Sequence, residues 1–294
     1  MALKKLADDD TLGNKSAHFF KSGNIVRTDE NEKLTDLKNL LPKTGNWHTP
    51  LEYDIWYNIG EEHILGYTYT DCFSKCLMLR PASTEKSNRA MALAAREPVT
   101  DDGLAIFNEL KNNSQDKYKL SKKKQKEHKF VIFLPGTNII DKVLDYDKTK
   151  RALKQGAVLK CHPLTAPGMV AYLRSEFGRD KVLDKKISGH KLLEEASIVG
   201  CCTNSEMGIL ALTKGKSVYL FDKVDDQLMT TYKAIYNAVW GSNDQPSVER
   251  LQRLFSAKYS GLVPYFIDNP QERIDYFFNF WKSTPHALSR PRKK

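Results

Sequence analysis

The chain has 294 residues, 40% hydrophobic and 28% charged, with a formal net charge of +10 and a pI near 9.2. These proportions exclude a disordered polar chain and a fibrous one, and no apolar run reaches the roughly 18 residues of a membrane span. The positive field favours a polyanionic partner: nucleic acid, an anionic membrane surface, or a phosphorylated or acidic substrate.

The opening, MALKKLADDD, has no apolar secretory core, so the expected location is cytoplasmic. Five cysteines are an odd number, and Cys201 and Cys202 adjoin in an apolar run, which suits reduced buried thiols better than a disulfide framework. His63, Cys72 and Cys76 match no zinc spacing well, and no metal site is assigned.

Residues 1–45 are polar and without a period. LEYDIWYNIGEEHILGYTYTDCFSKCLML is rich in Tyr, Ile, Trp and Thr and reads as two or three strands parted by turns at Gly60 and Gly66. Helices are expected around SNRAMALAA and from Asp102 through LAIFNEL. Residues 117–129, KYKLSKKKQKEHK, hold seven lysines against one glutamate and divide the chain, giving domains at 1–128 and 129–294. The same lysines also fit a solvated linker, and the closing RPRKK a frayed tail.

The second half alternates. KFVIFLP, AVLKCH, KVLD, ASIVGCC and KSVYLFD are short bounded apolar runs, the pattern of buried strands. Between them, KTKRALKQG, APGMVAYLRSEFG, HKLLEEA behind Ser188, and SEMGILALTKG read as helices, three of them stopped by Gly156, Gly178 and Gly215. This alternation predicts βαβ units and a doubly wound parallel sheet. The tail, DDQLMTTYKAIYNAV, PSVERLQRLFSA and NPQERIDYFFNFW, is expected to be largely helical and to follow this half.

In such a sheet, ligands bind beyond the carboxyl ends of the strands. Pro163 cannot extend a ladder, so it ends its strand and holds His162 at the rim, where an imidazole can donate to a phosphate oxygen or protonate a departing one. Lys160, two residues earlier, adds positive charge there; a histidine that merely caps a turn is the alternative. At the next strand end, Thr203, Asn204 and Ser205 offer hydroxyls and backbone N–H groups as a phosphate seat; alternatively Thr203 or Asn204 is an ordinary helix N-cap with Glu206 as a first-turn acid. Asp101 and Asp102 precede Gly103 and read either as a helix cap or as a source of a general base. No GxGxxG follows a strand, and neither GxxxxGK[ST] nor GxSxG is present.

An acidic pair before Gly, a strand ending in His-Pro, and later Ser/Thr residues at a strand-to-helix turn resemble, in that order, bacterial sialyltransferases. Capsule and Kdo transferases share the second and third parts. The resemblance implies a glycosyltransferase with two Rossmann-like domains (the GT-B type), with 1–128 on the acceptor side and 129–294 binding the nucleotide sugar. It implies Asp102, or less so Asp101, as the base; His162 as the donor-phosphate contact that assists the leaving nucleotide; Thr203 and Ser205 as holding that phosphate; and Glu206 at the ribose. The strand-end reading adds Lys160, Pro163 and Asn204 to the expected donor-binding set. No metal or cofactor is implied, the donor being a UDP- or CMP-activated sugar. Asp145–Asp147 (DYD) fits a metal-binding pattern but lies ahead of a helix.

Charge bears on the acceptor. Lys122, Lys123, Lys124 and Lys126 would meet a polyanion, which tips the expectation towards hydroxymethylated bases in double-stranded DNA. Trp47, Trp56 and Tyr57 are available for a flipped base or for core packing. The alternatives are a glycan or lipid-linked acceptor with peripheral membrane contact, a nucleotide-sugar epimerase, and a non-catalytic nucleic-acid-binding protein.

Overall fold

The structure, a computed structural model, describes residues 57–58, 66–72, 76–81, 84–114, 126–137, 139–223, 232–242, 245–264 and 266–283. The chain divides into two compact units: one takes the described residues of 115–233, the other those of 29–114 and 234–294. Among the described residues, no helix is long and apolar enough to cross a membrane.

The first unit is built on five strands, β4 (Phe130–Phe133), β5 (Val158–Lys160), β6 (Val182–Leu183), β7 (Ile198–Cys201) and β8 (Ser217–Leu220). They lie in the order β6-β5-β4-β7-β8 with every pairing parallel. β4 and β5 are nearly uniformly buried, as expected of strands covered on both faces. The crossovers are helical: α3 (Ile140–Val143) and α4 (Tyr146–Lys154) after β4, α5 (Pro167–Phe177) after β5, α6 (Gly189–Glu195) after β6, and α7 (Met207–Thr213) after β7. One face buries Ile132, Leu159, Leu144, Leu153, Leu173 and Phe177 in a single cluster. Each such side chain contributes about 1.5–3 kcal/mol. Gly178 closes α5 at φ 97°, a conformation that would strain any residue with a Cβ.

From β4 the chain steps to β5 and β6, then returns to the other side of β4 for β7 and β8. The switch point therefore falls between β4 and β7, where two crossovers diverge and leave a crevice beyond the carboxyl ends. This is the doubly wound sheet the alternation predicted.

The second unit differs from the expectation of another Rossmann-like domain. β1 (Tyr57–Asn58), β2 (Gly66–Cys72), β3 (Cys76–Pro81) and β9 (Leu262–Pro264) form a sheet in that order, and all its pairings are antiparallel. The connection explains it: Cys72 and Cys76 are paired across a hairpin, and so short a link cannot make the long crossover that parallel strands need. Gly66 starts β2 rather than marking a turn.

Around this sheet stand α1 (Thr84–Ala94), α2 (Asp101–Asn113), α8 (Lys233–Trp240), α9 (Val248–Ser256) and α10 (Pro270–Ser283). Leu77, Ile106, Leu110, Leu254, Phe255 and Phe277 fill its core, with Phe107 edge-on to Phe255 at 6.5 Å. The tail therefore belongs with the first half of the sequence, not with residues 129–233. Its strand β9 pairs with β3, and Arg273, only 4% exposed, donates from α10 to the carbonyls of Leu262 and Phe255.

Candidate functional site

The loops that follow β4, β5, β6, β7 and β8 share the carboxyl edge of the first unit. Side chains stitch them together. Thr137, after β4, accepts from the amide of Ala166 at 2.9 Å, and Lys185, after β6, donates to the Thr165 carbonyl at 2.7 Å.

His162 lies in the tight turn after β5, its carbonyl accepting from the Thr165 amide at 2.9 Å. The Leu164 amide donates to Nδ1 at 3.2 Å. Nδ1 thus carries a lone pair, and the neutral ring holds its proton on Nε2. The histidine caps a turn, as the alternative sequence reading has it. Pro163 follows, and Leu134 uses its own amide to bond the Lys160 carbonyl, so the ladder ends at this point.

Lys160 takes a different role from the one expected. It is 2% exposed, and its ammonium donates to the carbonyls of Cys161 at 2.6 Å and Lys185 at 3.0 Å. A buried ammonium needs such acceptors, and these fasten the end of β5 to the loop after β6. Its charge is still felt locally: Lys160, Arg174 and Lys185 all act on the Cys161 thiol, whose pKa burial pushes up to about 11 against their pull.

At the end of β7, Thr203 is 5% exposed, and its hydroxyl donates to Asp222 at 2.8 Å. Its amide donates to the same carboxylate at 3.0 and 3.1 Å. Both of its donors are therefore engaged by the residue that follows β8. Ser205 Oγ accepts from the Met207 amide at 3.2 Å just ahead of α7, whose N-cap is Glu206 rather than Thr203 or Asn204, so Glu206 is not the first-turn acid expected. Glu206 accepts from the buried Tyr232 hydroxyl at 3.3 Å. Asn204 stands apart: its Oδ1 is buried and has no hydrogen-bond partner, and the same is true of Thr165 Oγ1 at the neighbouring strand end. Buried acceptors of this kind call for an explanation, and a bound donor is one.

The acidic pair lies in the second unit. Thr100 is the N-cap of α2, its side chain accepting from the Gly103 amide at 3.1 Å, and Asp101 and Asp102 are exposed first-turn acids. That position complements the helix dipole. Gly103 has a packing cause, because a Cβ there would fall 1.9 Å from Ser256 Oγ on α9. Asp102 also lines a groove of about 520 Å³ whose other ionisable groups are Glu109, Asp268, Glu272, Lys258 and Arg273. Four carboxylates face two cations there. One cation, Lys258, is paired with Glu272, and the other, Arg273, is turned to backbone carbonyls.

Asp145–Asp147 is a helix start: Asp145 caps α4 by accepting from the Lys148 amide at 2.8 Å, with Asp147 in the first turn. Of the lysine segment, Lys126 is described and exposed; Lys122, Lys123 and Lys124 lie outside the described residues, as do the RPRKK tail, His63, Trp47 and Trp56. Tyr57 belongs to β1. The cysteines Cys76, Cys161, Cys201 and Cys202 are buried thiols outside any disulfide.

Sequence reasoning passed over Thr137, Asp222, Tyr232 and Arg174. The LPGT stretch after β4 and the aspartate ending KSVYLFD stood at strand ends and carried the signal for the first two.

No protein-family model and no curated protein matches the chain. Among solved structures it is similar to Thermosulfurimonas dismutans KpsC, beta Kdo 2,7 transferase, with TM-score 0.42 and 16% identity over 76% of this chain and 80% of that one. It is also similar to Thermosulfurimonas dismutans KpsC, beta Kdo 2,4 transferase, with TM-score 0.39 and 16% identity over 60% and 64% of the two chains.

Proposed function

We propose that the protein is a glycosyltransferase that moves a sugar from a nucleotide-sugar donor to a hydroxyl acceptor. The observation that carries this reading is His162, just past the end of β5, whose Nδ1 accepts from the Leu164 amide and so leaves the ring proton on Nε2. The motif order that resembles sialyltransferases and Kdo transferases supports it, as does the doubly wound sheet around the histidine.

In the proposed reaction the acceptor oxygen attacks the anomeric carbon of the donor. The bond from that carbon to the phosphate oxygen breaks, and its electron pair leaves with the nucleotide. Nε2–H of His162 hydrogen-bonds the phosphate oxygen as charge develops there, a contact that strengthens towards the transition state. With Nδ1 occupied by the Leu164 amide, the ring acts through this hydrogen bond rather than by surrendering a second proton. Asn204 Oδ1 and Thr165 Oγ1 are the acceptors available to donor hydroxyls, and Glu206 is assigned to the ribose. Asp102 takes the proton of the acceptor hydroxyl. No resident cofactor enters the proposal.

For the acceptor, a glycan hydroxyl is favoured over modified DNA. The groove that Asp102 lines carries four carboxylates against two engaged cations, a surface that repels a phosphodiester backbone and accepts hydrogen bonds from sugar hydroxyls. The test is a screen of labelled UDP- and CMP-sugars against a glycan panel and against hydroxymethylated DNA. Label on a glycan, lost in His162→Ala, supports the reading. Label on DNA overturns the acceptor assignment, and label nowhere overturns the transferase itself.

A further inference from the structure

We infer that the first unit carries a second oxyanion site, a groove between α5 and the loop after β6 that binds a phosphate or carboxylate group. The groove is open, with a volume of about 520 Å³, and is lined by Arg174, Arg179 and Lys185, with Asp184 the one acid among its lining residues. Three cations against one carboxylate leave a net charge of +2 in a space of small-molecule size.

Its floor follows from helix geometry. Pro167, Ala171 and Ser175 recur every four residues, so they form one stripe about 12 Å long on α5. Their small side chains leave room above the helix, and Arg174 rises from the adjacent row. The loop wall is held in place: Lys185 is anchored on the Thr165 carbonyl, its own carbonyl accepts from Lys160, and Asp184 accepts from the Lys186 amide at 2.9 Å.

Arg174 gives the groove its ligand preference. Its Nε is buried and lacks a hydrogen-bond partner, and no carboxylate of the described residues forms an ion pair with its guanidinium. The neighbouring acid of α5, Glu176, is paired with Lys150 at 2.6 Å instead. A guanidinium without an acid partner offers a planar fork matched to an oxyanion, where bidentate hydrogen bonds are short and strong. A cationic groove of this volume suits a discrete phosphate or carboxylate on a small ligand. The groove borders the turn that holds His162 but shares none of the residues assigned to the donor, so its occupancy does not depend on transfer chemistry.

The experiment is an amide- and arginine-resolved NMR titration of the full chain with inorganic phosphate, with glucuronate, and with vesicles of anionic phospholipid. Saturable shifts of the Arg174 Nε–H and of the Ala171 and Ser175 amides are expected with phosphate or glucuronate at millimolar levels. Arg174→Gln should weaken that binding about tenfold or more, Arg179→Gln should weaken it less, and Asp184→Asn should strengthen it. His162→Ala should leave these shifts in place, which separates this site from the donor seat. Absence of saturable shifts up to about 50 mM of either anion overturns the inference. So does binding that survives both arginine substitutions, or a response to vesicles alone.

Discussion

The carboxylate of Asp222 receives both the hydroxyl of Thr203, at 2.8 Å, and its amide, at 3.0 Å. This pair locks the loop after β7 to the residue after β8, on the side of the sheet where the switch point opens. Thr203→Val removes one charge-assisted bond and leaves a carboxylate short of a partner, so stability should fall by about 1–3 kcal/mol. Urea denaturation would show a lower midpoint with an unchanged slope. An unchanged midpoint would mean that the pair contributes nothing.

Gly103 is required by packing. A Cβ at this position would meet Ser256 Oγ at 1.9 Å and the Ser256 backbone at 2.7 Å. Gly103→Ala should therefore cost roughly 1–3 kcal/mol through overpacking, and Ser256→Gly should not restore it, because backbone atoms remain in the way. Rescue by that double variant would show that the clash involves the side chain alone.

Asp102 offers the opposite contrast. It is exposed in the first turn of α2, where an acid contributes about 0.3–1 kcal/mol through the helix dipole. Asp102→Asn should keep the fold and nucleotide binding while transfer falls by two orders of magnitude or more, about the range of general-base catalysis. Weakened nucleotide binding in a steady-state assay would remove the residue from the base role.

Cys161 makes the first unit sensitive to alkali. Burial raises its thiol to about 11, above the unfolded value, so the folded state keeps a proton that the unfolded state gives up. The associated stability is complete below the unfolded pKa of about 8.5 and is lost as pH climbs through 11. Tyr146, also raised by burial, acts in the same direction at higher pH. Urea midpoints should fall between pH 8.5 and 11, less steeply in Cys161→Ala. Equal slopes in both proteins would contradict this origin.

The doubly wound unit was legible because each strand is an unbroken apolar run and glycine closes most of the helices, as at Gly178. Both signals are local, and the parallel order follows from their alternation. β9 was not legible: three residues, Leu262–Pro264, carry no period, and they become a strand only because β3, far back in the chain, presents an edge. The antiparallel second sheet escaped for a related reason, since a hairpin link after Cys72 is a matter of length rather than composition. At the site, position was readable and partnership was not. His162 stood visibly at a strand end, whereas the burial of Lys160 depends on the Lys185 carbonyl 25 residues away. The engagement of Thr203 depends likewise on Asp222, which adjacency in the sheet brings near.

The central claim, that the carboxyl edge at His162 seats a nucleotide sugar, is tested most directly by calorimetric titration of the full chain with UDP, CMP and their sugars, beside His162→Ala. At least one nucleotide should bind at micromolar to millimolar concentration. Loss of the Nε2 hydrogen bond to its phosphate should weaken that binding by about ten- to a hundredfold, with the melting temperature nearly unchanged. Binding by none of them, or equal binding by both proteins, would contradict it.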